Sequence, residues 1–434
     1  MKEKLLSKLH KRESTIGLIG LGYVGIPLAR RFLEVGFKTI GFDVDTKKID
    51  LLKKGESYIR HIPDSAFSQM LESGFEATGD FSRISEADAL IVCVPTPLTK
   101  HRDPDLSYVT DTAETLAQYI RPGQVISLES TTYPGTTEEE LLPRLEQSGL
   151  TVGKDFFLVY SPEREDPGNS KYKTQTIPKV CGGHTAACHD IGIALYEQIV
   201  DEIVPVSSTP TAEFVKLLEN IHRAVNIGLV NELKILADKM DIDIFEVIKA
   251  AATKPFGFTA YYPGPGLGGH CIPVDPFYLS WKAKEFDHDV RFIELAGEIN
   301  RSMPDYVVSK VTWALNQHQK SVKGSKILVL GLAYKKNIDD MRESPSIPLI
   351  ESLGELGAEL TYCDPYVPSF TKITADYFNQ NSTEITREIL LNFDCTLLVT
   401  DHDCFDYELL QSASKLLVDT RGRYDKAHDN VVRG

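Results

Sequence analysis

Between Thr15 and Asp45 the chain reads TIGLIGLGYVGIPLARRFLEVGFKTIGFDVD, and few folds accept such a run. Ile16 to Ile19 is a short apolar strand, Pro27 to Val35 a helix, and Thr39 to Phe42 a second strand. Gly20-Leu21-Gly22-Tyr23-Val24-Gly25 falls at the first junction and fits G-x-G-x-x-G. Alone the pattern also marks plain turns, but a preceding strand and a following helix give it a mechanism. The first glycine makes the tight turn, and the second lets the backbone approach a pyrophosphate seated on the helix N-terminus. Asp43 closes the second strand, where a carboxylate accepts hydrogen bonds from an adenosine ribose and repels a 2′-phosphate. NAD is therefore favoured over NADP, a preference that nearby Lys47 and Lys48 soften.

The same alternation continues through ALIVCVP (Ala89–Pro95), VISLEST (Val125–Thr131) and FFLVYSPE (Phe156–Glu163), with helical sequence such as YVTDTAETLAQYI between. Strands alternating with helices imply a parallel, doubly wound sheet. Near Ser207 the pattern changes. Phe214, Leu218, Ile221, Val225 and Leu229 recur at steps of three and four, which predicts a long helix over Thr211–Met240, with Thr211 as N-cap after Pro210. From about Lys323 a second α/β region begins with SKILVLG and continues through AELTYCDP, CTLLVTD and KLLVDTRG. The polar stretch ITADYFNQNSTEITRE reads as surface loop and helix. A chain of 434 residues exceeds one core. The expected fold is α/β: two Rossmann-like doubly wound domains, 1–206 and 316–434, joined by a helical central domain, 207–315, with a long helix.

Acidic residues outnumber basic ones by 62 to 47, for a formal net charge of −15, which argues against a broad nucleic-acid surface but leaves room for a local phosphate pocket. No apolar run approaches the roughly 18 residues of a membrane span. The charged start, MKEKLLSKLHKRES, lacks a signal-peptide core, so a cytoplasmic location is expected. The seven cysteines are odd in number, scattered, and without a C-x-x-C pair, which disfavours a zinc site or redox dithiol. No metal is expected.

One of them, Cys271, stands in PGPGLGGHCIPVDPF, after a glycine run and before Asp275. Such a cysteine can be a small buried hydrophobe, a metal ligand, half of a disulfide or a nucleophile. His270 is its neighbour, but adjacent residues on an extended loop point apart, so packing or a substrate contact fits better than an activating base. Lys216 and Asn220 share a helix face. The ordinary meaning of such a pair is a solvated polar face, the class to which Glu213, Arg223 and Lys234 are assigned. Glu163 ends a strand in YSPERED, and strand ends line the ligand crevice of an open sheet, so a base and a charged surface turn are equally open there. Thr131 follows a strand and can offer its hydroxyl to a cofactor. Lys335, Lys336 and Arg342 follow a glycine turn, where a phosphate site competes with an ordinary solvated charge run.

Taken in order, GLGYVGIPLA, CVPTP, STTYPGTT, YSPERE, EFVKLLEN, GLGGHCIPVDP and AYKKNIDDMRESPS resemble the blocks of the UDP-sugar 6-dehydrogenase family, from about Thr15 to Tyr424. GGHCIPVDPFYLSWKA, YSPEREDPGN and ATKPFGFTAYYPGPG look like the branch acting on UDP-N-acetyl-D-glucosamine in surface-polysaccharide pathways. UDP-glucose enzymes usually carry serine or tyrosine before the cysteine and lysine before the aspartate. Here those places hold His270 and Val274.

The resemblance implies two NAD-dependent oxidations of a sugar C6 alcohol to a carboxylate. Cys271 would be the covalent nucleophile, passing through a thiohemiacetal and a thioester. Lys216 and Asn220 would stabilise the developing oxyanion, Asp275 would assist proton transfer, and Glu163, with Thr131 and a water, would serve in thioester hydrolysis. The cofactor would use Gly20, Gly22, Tyr23, Val24, Gly25, Asp43, Lys48, Pro95, Thr96, Thr131 and Arg342. The UDP-N-acetylhexosamine would be touched by Glu163, Arg164, Glu165, Lys216, Asn220, Tyr262, Gly266, Gly268, Gly269, His270 and Lys335. Family members pair through the middle helix, which implies a homodimer or larger assembly. The alternatives are UDP-N-acetylgalactosamine, UDP-N-acetylmannosamine or UDP-glucose as substrate, an NAD-dependent 3-hydroxyacid dehydrogenase, or a non-catalytic NAD-sensing protein.

Overall fold

A computed structural model describes the whole chain apart from residues 60–61, 100, 165–171, 270–271, 374 and 426–427. It divides into two compact units, Met1–Glu219 with Phe277–His288, and Asn220–Pro276 with Asp289–Gly434. The first contains an eight-stranded sheet built from β1 (Thr15–Ile19), β2 (Lys38–Phe42), β3 (Glu76–Thr78), β4 (Ala89–Val92), β5 (Val125–Leu128), β6 (Phe157–Tyr160), β7 (Lys179–Gly183) and β8 (Ile203–Val206). Their order is β3-β2-β1-β4-β5-β6-β7-β8, and the pairing of β6 with β7 is antiparallel while the others are parallel. β4, β5 and β6 are buried along their whole length, as strands covered on both faces must be. That is why they read as apolar runs, broken only by Ser127, whose hydroxyl bonds that of Tyr196 at 2.6 Å.

The second unit holds a parallel sheet of β9 (Lys326–Leu330), β10 (Glu359–Cys363), β11 (Phe378–Ser382), β12 (Cys395–Leu398), β13 (Leu417–Asp419) and β14 (Val431–Arg433), in the order β11-β10-β9-β12-β13-β14. Each sheet thus winds outward both ways from its first strand, and the crevice lies at the strand C-termini beside that switch point. The wiring of the first turn is also repeated. The Gly20 amide donates to the Phe42 carbonyl and the Gly331 amide to the Cys363 carbonyl, each at 2.9 Å. The architecture used at both ends of the chain is one architecture.

Two details differ from expectation. FNQNS, inside the stretch read as loop and helix, is the edge strand β11; its burial alternates, so no apolar run announces it. The long helix, Thr209–Lys239, begins before Thr211. Ser208 takes the capping place, its hydroxyl accepting from the Thr211 amide at 3.3 Å. Pro210 therefore sits in the first turn, where no helical hydrogen bond is lost. Of the five apolar residues that defined this helix, Ile221 is buried, but Phe214, Leu218 and Leu229 are 45%, 57% and 51% exposed. Among the described residues no helix is long and apolar enough to cross a membrane.

Candidate active site

The glycine turn is shaped by close approach. Gly20 has φ +92°, and a β-carbon on it would lie 2.6 Å from the Cys93 carbonyl oxygen. One on Gly25, the first residue of helix Gly25–Glu34, would lie 2.0 Å from the Gly20 carbonyl oxygen. Around Gly22 nothing would come within 4 Å, so its bare backbone faces open space at a helix N-terminus. These residues fit a dinucleotide pyrophosphate. Asp43 is buried directly after β2. It accepts from the Leu21 and Asp45 amides, each at 2.9 Å, and from Lys48 at 3.3 Å. The carboxylate thereby fixes the turn, and Tyr58 donates its hydroxyl to the Leu21 carbonyl. Lys48 is engaged by Asp43, which weakens its claim on a 2′-phosphate. Tyr23 and Val24 are half-buried in the turn; after β4, Pro95 is exposed and Thr96 buried.

At the next strand ends the first unit gathers charge. Lys216 is only 5% exposed; its ammonium donates to the Glu163 backbone carbonyl at 2.5 Å and to the carboxylate at 3.3 Å. A solvated polar face is excluded for Lys216 and for Asn220, which is also buried. Arg164 holds the adjoining turn against the long helix through Glu219 at 2.5 Å, and donates to the Pro178 carbonyl at 2.5 Å. Thr131 is half-buried on the loop after β5.

That loop is tied down by Glu213, which the sequence assigned to a solvated face and the structure buries completely. Its carboxylate accepts from the Gly135 amide at 2.6 Å, the Thr137 amide at 2.9 Å and the Thr137 hydroxyl at 2.6 Å. Burial pushes its pKa up to about 7 although these three donors pull it down. Lys234 was likewise misassigned: it is buried, burial lowers its pKa, and it pairs with Asp238 at 3.7 Å. Arg223 is exposed as expected.

Sequence reasoning missed a further pair. Glu129, directly after β5, is buried and accepts from Lys179, the first residue of β7, at 2.8 Å and from the Tyr196 hydroxyl at 2.7 Å. A charged residue closing an apolar strand, as at Asp43, was the available signal. Val24, Leu28, Glu129, Glu163, Arg164 and Lys179 line a pocket beside the cofactor helix. Burial raises the thiol pKa values of Cys93, Cys181, Cys363 and Cys395, so none of these is prepared as a thiolate.

In the second unit Asn220 donates to Asp275 at 2.5 Å, and Asp275 opens helix Asp275–Ala283, where a negative charge is favoured. The glycine run rests on the 331–345 loop. A β-carbon on Gly268 would lie 2.4 Å from that of Tyr334, and one on Gly269, whose φ is +93°, 2.9 Å from the Tyr334 ring. Gly266 adopts φ +140° facing Pro345. The Gly269 amide donates to the Arg342 carbonyl at 2.9 Å. The Arg342 guanidinium grips Asp340 at 2.7 Å, Lys335 is half-buried, and Lys336 pairs with Asp403 at 3.0 Å. Tyr262 is largely exposed. Glu165, His270 and Cys271 lie outside the described residues.

Two doubly wound sheets, a dinucleotide turn and a buried lysine beside a carboxylate at the strand ends define an NAD-dependent oxidoreductase. Domain models of the UDP-glucose/GDP-mannose dehydrogenase family match residues 14–200 (NAD binding domain), 210–302 (central domain) and 328–426 (UDP binding domain). The chain belongs to this family. CapL of Staphylococcus aureus is 41% identical over 351 residues, 80% of this chain and 81% of its own. A UDP-N-acetyl-D-glucosamine 6-dehydrogenase of Salmonella typhi is 36% identical over 395 residues, 91% of each chain. The solved structure of a UDP-D-ManNAc dehydrogenase from Pyrococcus horikoshii matches with a TM-score of 0.86 at 30% identity, covering 96% of this chain and 98% of that one. The protein is an NAD-dependent UDP-sugar 6-dehydrogenase with three domains, two of them α/β and the central one helical.

Proposed function

We propose that the chain oxidises the C6 hydroxyl of UDP-N-acetyl-D-glucosamine to the uronate through covalent steps on Cys271, and so supplies a surface-polysaccharide precursor. Domain 1–206 carries NAD, 207–315 the cysteine and the pairing helix, and 316–434 the UDP group. Gly20, Gly22, Gly25 and Asp43 would hold NAD, which would supply the hydride acceptor for each of two oxidations. Lys216 and Asn220 stabilise the oxygen at C6 as it gains negative charge. Asp275 assists removal of the hydroxyl proton, leaving an aldehyde. The Cys271 thiolate then bonds to the aldehyde carbon, giving a thiohemiacetal whose oxidation yields a thioester. Glu163, with the Thr131 hydroxyl assisting, takes a proton from the water that attacks the thioester, releasing the carboxylate and the free thiol.

The observation that carries this reading is the buried Lys216–Glu163 contact at the strand ends. A buried cation beside a carboxylate at the strand ends that line the crevice is placed to stabilise an anion formed there. His270 and Val274 beside the cysteine disfavour UDP-glucose, and the Salmonella typhi relative supports the glucosamine epimer. The same reaction on UDP-N-acetylmannosamine is the second reading, favoured by the Pyrococcus horikoshii structure. Assay with UDP-glucose and the three UDP-N-acetylhexosamines should show highest kcat/KM for the glucosamine sugar and two NADH per sugar. Cys271→Ala should abolish acid formation while NAD still binds; undiminished acid would refute the covalent role.

A further inference from the structure

The loop that carries Lys335 and supports the glycine run is itself held by a histidine with no part in the reaction above. His402 is fully buried just beyond β12. Its Nδ1 lies 2.9 Å from the Asn337 amide, which can only donate, so Nδ1 accepts. The ring hydrogen must then be on Nε2, which donates to Asp364 Oδ2 at 3.2 Å. That oxygen also accepts from the Leu332 amide at 2.7 Å and the Ala333 amide at 2.9 Å. The imidazole is fixed by rings on two sides, Tyr366 at 5.0 Å and Phe405 at 5.3 Å.

Asn337 needs this support. Its φ is +64°, a left-handed conformation that an L-residue adopts at a cost. Besides the bond to His402, its side-chain amide donates to Asp403 at 2.6 Å and accepts the Asp403 amide at 3.0 Å. Two residues before it stands Lys335. The loop closes where the Tyr334 amide meets the Asp340 carbonyl at 3.0 Å.

We propose that His402 is a positioning residue for nucleotide-sugar recognition: its imidazole, with Nδ1 accepting and Nε2 donating, fixes the loop 332–337 so that Lys335 meets the diphosphate of the UDP-sugar. The proposal rests on the reading of Lys335 as a substrate contact. It separates two atoms that two substitutions imitate one at a time. His402→Asn keeps an acceptor near Nδ1 and loses the donor to Asp364. His402→Gln keeps a donor near Nε2 and loses the acceptor for Asn337.

The test is steady-state kinetics together with titration of the full protein with UDP. His402→Gln should raise KM for the UDP-sugar and Kd for UDP about tenfold, the scale of one buried hydrogen bond. Its kcat and its KM for NAD should stay within about twofold of wild type, and His402→Asn should bind UDP measurably better than His402→Gln. Unchanged UDP affinity in His402→Gln overturns the proposal. So does a joint loss of kcat, NAD affinity and thermal stability in both variants, which would mark a merely structural residue. Lys335→Ala separates the two layers. If it binds UDP as wild type does, the loop's substrate role falls and the proposal with it. If it binds UDP weakly while His402→Gln is normal, only the positioning role falls.

Discussion

Glu213 and Lys216 are neighbours on one helix face, and their charges meet opposite fates. Lys216 finds a carboxylate, whereas Glu213 finds only neutral donors, with Glu138 as a further negative charge nearby. Its raised pKa has a definite sign for stability. A carboxyl with an ordinary pKa of 4.5 that rises to about 7 on folding favours the protonated native state. Stability from this group is fully present below about 4.5 and is lost as pH rises towards 7. Across that window the loss approaches about 3 kcal/mol. Urea unfolding at stepped pH should show Glu213→Gln with a much flatter pH dependence than wild type between those limits. Parallel curves would mean that Glu213 does not titrate there. The sequence could place Glu213 on a helix but not against Thr137, which lies 76 positions away. Glu129, with Lys179 50 positions away, was invisible for the same reason: a partner across the sheet leaves no local mark.

At the level of elements, legibility follows coverage. Strands buried on both faces, such as β4 and β6, are dominated by apolar residues and so declare themselves. β8 and β11 lie at the sheet edges; β8 is short, interrupted by Pro205 and nowhere fully buried, and β11 alternates, so neither reads as a buried strand. The glycine turn was legible because its strand, glycines and helix follow one another directly in the sequence. Gly25→Ala should force the turn open, since the new methyl carbon would lie 2.0 Å from a backbone oxygen. NAD affinity should fall by about tenfold or more, a loss of about 1.4 kcal/mol or more, while UDP affinity stays near wild type, both read by calorimetric titration. The long helix was legible in period but not in purpose. Phe214, Leu218 and Leu229 are exposed in the isolated chain, and such residues on one helix suit a second copy of it. Leu218→Glu combined with Leu229→Glu should lower the mass measured by light scattering to that of one chain. A variant pair that keeps the wild-type mass would place the interface elsewhere.

For the molecule as a whole, the sequence motifs pointed to an NAD-dependent UDP-sugar dehydrogenase, while the structure supplied the wiring within each unit. The equivalence of the two sheets shows this well. In the first, Asp43 follows the second strand and accepts from Leu21; in the second, Asp364 follows β10 and accepts from Leu332. Open space surrounds Gly22 in the first turn, whereas His402 packs on Asp364 in the second. Beside the second, an imidazole fills the corner that an adenosine would need. Repeating the architecture should therefore not repeat the binding stoichiometry. Equilibrium dialysis against NAD should saturate at one equivalent per polypeptide, and two equivalents would show that the second corner can be vacated.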